Sequence, residues 1–125
     1  MLKVVASLAT VLTLGLVAVA VPPVSNRLQQ VPDKDHNRSN PLRESPKAAA
    51  SGAGVYREHC EQCHKLDARG DEHHPSLRSD RVRLASDGDL EWFLRQGDLA
   101  HGMPSWSALP QAQRWQIVAY LRSIQ

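Results

Sequence analysis

Hydrophobic positions are spread unevenly along this 125-residue chain. Residues 1–21 hold 16 of its 52 hydrophobic residues, and no charge interrupts the run from Val4 to Val21. Lys3 precedes that run and Pro22-Pro23 ends it. A positive flank before an apolar run is an export element that leaves the N-terminus inside and the rest outside. Two readings stand for residues 1–21: signal peptide or membrane anchor. Ala18-Val19-Ala20 is a small-x-small box suited to signal peptidase. Against that, the uncharged run exceeds the roughly 7–15 residues of a signal core and reaches the lower limit of a membrane span. The polar stretch behind it favours the anchor, because a cleaved protein would carry that stretch as a tail without a purpose.

Residues 22–45 show no apolar period and are rich in Pro, Asn, Asp and Arg, the pattern of a disordered linker. A helical domain is expected over 46–125. Ser45-Pro46 supplies an N-cap and a proline at the first helical position. Gly52, Tyr56 and Cys60 recur every four residues and so share one helix face. Ser86-Asp87-Gly88-Asp89 resembles a capping box, Leu90, Phe93 and Leu94 follow at helical spacing, and Gly97 is a stop. Pro110 can open a last helix with a broad apolar face from Trp115 to Ile124. No segment alternates apolar and polar positions, so the fold class expected is all-α.

Composition makes that domain lean. Outside residues 1–21, 36 of 104 residues are hydrophobic, and the whole chain has six Phe, Trp or Tyr. Such a domain needs help to build a core. Two cysteines exclude a disulfide-dense scaffold and a four-cysteine zinc ribbon. Residues 51–125 carry 9 Lys or Arg against 10 Asp or Glu, and no basic stripe interleaves with aromatics, so nucleic acid is not an expected partner.

The chemistry is concentrated in Cys60-Glu61-Gln62-Cys63-His64. C-x-x-C-H reads as a c-type haem attachment site: two thiols meet two vinyl groups, and the next imidazole meets the iron. Other uses of these residues are a thioredoxin-like redox pair, a structural disulfide, or a zinc site completed by two of His64, His73, His74 and His101. The redox pair lacks its alternating strand–helix context. A haem would also supply the apolar body that the composition withholds.

With these residues in hand, the chain resembles the monohaem class I c-type cytochromes over about residues 45–125. The resemblance implies a small helical domain wrapped around one covalent haem c, attached through Cys60 and Cys63, with His64 as one axial ligand. Gly52, Tyr56 and Cys60 match the family's first helix. Ile117-Val118-Ala119-Tyr120-Leu121 matches its last, with Tyr120 expected over Gly52. Met103, in Gly102-Met103-Pro104, takes the place of the second ligand, and His101 is a competitor for it. The Pro75 carbonyl is expected to accept from His64, with Leu77 beside it on the ring. Leu84, Trp92, Leu94, Trp106, Trp115 and Val118 are candidate pocket walls, Trp92 and Trp106 foremost. Arg81, Arg83 or Arg95 would neutralise a haem propionate. Lys65-Leu66 departs from the small residue often found after the motif.

The resemblance implies a one-electron carrier rather than an enzyme, placed in a periplasmic respiratory chain. Its partners would be a dehydrogenase, an oxidase or another cytochrome, and the membrane itself through residues 4–21 if they are retained. Two alternatives are a haem subunit of a larger oxidoreductase complex and a five-coordinate haem that binds or senses a gas.

Overall fold

The computed structural model describes residues 25–125, so the expectations for residues 1–21 lie outside the described part. Its helices are α1 (Asp33–His36), α2 (Pro46–His59), α3 (Glu61–His64), α4 (Asp80–Leu84), α5 (Asp87–Gln96) and α6 (Gln111–Ser123), with 3-10 turns at Arg27–Gln29 and Leu99–His101. The all-α expectation is met: among the described residues the only extended pairing is one isolated bridge, Asp98 to Met103. No described helix is long and apolar enough to cross a membrane.

Local chemistry sets the helix ends. Ser45 caps α2, its hydroxyl accepting from the Ala48 N–H at 3.1 Å, and Pro46 fills the first helical position. Such a cap contributes about 1 kcal/mol. At α5 the capping box is complete: Ser86 Oγ accepts from Asp89 N–H at 3.0 Å, and Asp89 Oδ2 accepts from Ser86 N–H at 2.8 Å. Gly97 ends α5 at φ 67°, a conformation that favours glycine.

α2 and α6 cross at the centre. A Cβ on Gly52 would lie 1.9 Å from the Gln116 carbonyl oxygen, so only glycine admits this approach. Here the expected pairing is corrected. Gly52 meets the backbone of Gln116, while Tyr120, one turn further on, packs against Tyr56 with ring centroids 5.1 Å apart. Both helices advance by four residues, so the contact is shifted and not lost. Tyr56, Ile117 and Val118 are almost fully buried at this crossing.

The expectation of a disordered linker over 22–45 is also corrected for the part described. Residues 25–45 pack along α5 and α6. Arg38 reaches Glu91 at 2.7 Å, Arg43 reaches Asp87 at 2.6 Å, and the His36 ring lies 2.8 Å from Asp89. Arg95 returns a 2.6 Å contact to Asp35, and buried Asn40 donates to the Trp115 carbonyl at 3.0 Å. A Cβ on Gly88 would lie 2.0 Å from the Asp35 carbonyl oxygen, so the segment lies flush on α5. It was misread because its partners are polar and about 50 residues distant, and apolar periodicity registers neither property. Leu28 and Leu42 add the small apolar contribution that composition understated.

Candidate haem site

α2 delivers Cys60 into the core, where it is 9% exposed, and the short α3 carries Cys63 and His64 onward. Cys63 is exposed and the two thiols are not joined. Burial, with Cys63 beside it, pushes the Cys60 thiol up to about 11. A thiol raised that far is protonated at neutral pH.

His64 Nδ1 lies 3.0 Å from the Pro75 carbonyl oxygen. A carbonyl only accepts, so Nδ1 carries the proton and Nε2 keeps its lone pair. Burial holds the His64 pKa below the usual imidazole value, against the opposing effect of that hydrogen bond. The loop between them is pinned at several points. Tyr56 Oη donates to the Lys65 carbonyl at 2.6 Å, Gly70 N–H to the His64 carbonyl at 3.0 Å, and Leu77 N–H to the Ala68 carbonyl at 2.8 Å. Asp71 accepts from the His73 and His74 amides, each at 2.9 Å, and its side chain meets Lys65 at 2.8 Å. The Lys65 contact is the largest of the effects that hold this carboxyl well below its usual range.

Across from this loop stands the segment after α5. Asp98 and Met103 exchange backbone hydrogen bonds of 2.8 and 3.0 Å, which closes the turn through His101 and Gly102. Ser105 Oγ donates to the Arg95 carbonyl at 2.7 Å, and Trp106 N–H to the Leu94 carbonyl at 2.8 Å. Both bonds lash the turn to the end of α5. Burial alone would raise the Asp98 pKa, but the facing His101 ring is the largest of the effects that outweigh it, and the carboxyl is held below its usual range.

Between the two loops lies a largely apolar cavity with an open mouth, enclosing about 1240 Å³ when the open solvent in that mouth is counted. Cys60, Cys63, His64, Pro75 and Leu77 line one side, and Met103 and Trp106 also line it. Leu90, Phe93 and Leu94 of α5, with Ile117 and Leu121 of α6, complete the apolar wall. The donor set fits a haem: two thiols three residues apart, an imidazole with its second nitrogen already bonded, a thioether, and an apolar enclosure. Among the described residues no three His, Cys, Asp or Glu side chains converge on one point, so the zinc arrangement has no geometric basis.

Some expected walls are not walls. Trp92 is corrected: it lies outside the cavity lining and instead seats the Arg27 guanidinium, 5.7 Å from its ring centroid. Trp115 and Val118 are buried core residues away from the cavity, and Leu84 is 81% exposed. Of the three arginines, Arg81 lines the cavity, whereas Arg83 pairs with Asp80 at 2.5 Å and Arg95 with Asp35. His73, His74 and His101 all reach the rim, His101 with Nδ1 3.0 Å from Asp98. Phe93, Ile117 and Leu121 were legible as apolar helix faces but not as site residues. Ser25 and Leu28 also line the cavity, and nothing in their sequence context signalled it.

No curated protein matches the sequence. The family described as cytochrome c oxidase, cbb3-type, subunit III matches residues 47–121, a span that runs from α2 into α6 and contains both loops of the cavity. The chain belongs to that family, a c-type cytochrome domain built for haem-based electron transfer.

Proposed function

We propose that the protein carries one haem c, bound through Cys60 and Cys63, and passes single electrons with His64 and Met103 as axial ligands. The observation that carries this reading is the pairing of His64 Nδ1 with the Pro75 carbonyl at 3.0 Å, on a cavity that Met103 also lines. When bound, the haem supplies a one-electron iron couple. His64 is held in the tautomer that leaves Nε2 free for metal, Met103 offers a soft sulfur that raises the potential, and the apolar wall excludes water. Arg81 stands in the cavity as the cation for a haem carboxylate. With His64 and Met103 both holding the iron, the protein would act as an electron carrier and not as a catalyst. The uncharged run behind Lys3 supports export, with the domain on the periplasmic side.

A second reading has its own support: the family description names an oxidase subunit, which favours a haem subunit working within a larger complex. Co-purification from solubilised membranes separates this from a free shuttle.

The ligand assignment is tested by Met103→Ala. The sulfur-to-iron charge-transfer band of the oxidised protein should vanish and the potential should fall. An unchanged band excludes Met103. Replacing Cys60 and Cys63 with Ala should leave any haem extractable by acid–acetone.

A further inference from the structure

We infer that residues 25–45 form a strap that closes the haem cavity and holds the Met103 loop, with Leu28 and Arg27 as its positioning residues. The inference deepens the His64/Met103 reading and rests on it. The strap lies before residue 47, where the family match begins.

Its clamp is a ladder along α5. Asp87, Asp89 and Glu91 are all buried, at 5%, 6% and 0% exposure, and each meets a strap side chain: Arg43, His36 and Arg38. The Ser86 hydroxyl adds a bond to the His36 carbonyl at 2.8 Å. Asp87 and Glu91 also pair with Arg122 and Arg114 of α6, so the strap arginines join a buried ion network that ties the strap, α5 and α6 into one folded unit.

Its working end is the turn at Arg27–Gln29. Leu28 and Ser25 line the cavity, and Leu28 packs on the hydrophobic core. Asp98 and Met103 line the same cavity as Ser25 and Leu28. Asp98 is 3% exposed and is the residue whose backbone is bridged to Met103. Arg27 Nε is buried without a hydrogen-bond partner, a costly state. Its place over the Trp92 ring is what holds the guanidinium there. The strap therefore meets the Asp98–Met103 turn at one wall of the cavity and shuts out water with Leu28. Water at a haem favours the more highly charged oxidised iron, so opening this end lowers the potential.

The test uses the haem-loaded full chain and the variants Arg27→Ala and Leu28→Ala. The expected results are a lower potential, a weakened sulfur-to-iron band, and carbon monoxide binding by the ferrous protein under conditions where the unmodified protein excludes it. Unchanged potential, band and carbon monoxide exclusion in both variants would overturn the strap's role. If the unmodified protein itself lacks the band, it is the ligand assignment that fails. Hydrogen exchange on the unmodified haem protein then still judges the strap. Protection of the Gln30, His36 and Asn37 amides supports it, and exchange at the rate of an open chain overturns it.

Discussion

Lys65, directly after His64, adopts φ 68° and ψ 162°, a region that residues with a Cβ avoid. The Tyr56 hydroxyl on its carbonyl and the loop bonds behind it hold it there. Such strain costs roughly 1–3 kcal/mol, of which the extra freedom of an unfolded glycine cancels up to about 1. Lys65→Gly should therefore be more stable to urea than Lys65→Ala by about 1–2 kcal/mol. Using Ala as the reference removes the exposed Lys65–Asp71 pair from both variants. Equal midpoints would show that the turn is not strained. At this scale the sequence was most readable, because the identities of Cys60, Cys63, His64 and Met103 are themselves chemical signals. Trp92 was misplaced although its phase was available. Leu90, Phe93 and Leu94 at i, i+3 and i+4 define the inward face of α5, and a residue two places after Leu90 falls off it.

Between elements, the contact that fixes the site is the α2–α6 crossing, since α2 sets Cys60 and α6 sets Ile117 and Leu121. Gly52→Ala would drive a methyl group into the Gln116 carbonyl, against backbone on both sides. Overpacking of that kind should cost more than about 3 kcal/mol, because no side chain can turn aside. The check is thermal unfolding of the haem protein. A Tm within a few degrees of the unmodified value would mean that the helices separate easily. The helices themselves were legible from Ser45-Pro46, Ser86 to Asp89, Gly97 and Pro110, all local signals. Which residue opposes Gly52 was not, because it depends on the offset between two helices far apart in sequence. The docking of residues 25–45 was hidden for a related reason. Its charges read as solvation until the buried acids of α5 are placed opposite them.

For the molecule as a whole, the core is thin. Among the described residues thirteen hydrophobic residues are buried, four of them Ala or Cys. The apolar walls of α5 and α6 face a cavity instead of one another. Without a haem those walls meet water, so the apoprotein should lose its cooperative unfolding transition and its near-ultraviolet circular dichroism while keeping part of its helix signal. An apoprotein that melts as sharply as the haem protein would show that the side chains suffice.

Residues 25–45 also decide how far the haem can wander from whatever lies upstream. As a flexible coil, about twenty residues would give a leash with a root-mean-square span of roughly 25 Å, letting the domain sweep a wide volume in search of partners. Folded against α5 and α6, they supply none of that slack. The incoming chain meets the body at Ser25, on the rim of the cavity. Any attachment made upstream is therefore felt first at the mouth of the redox site, and encounter with a partner depends on the orientation of a rigid body more than on the swing of a tether.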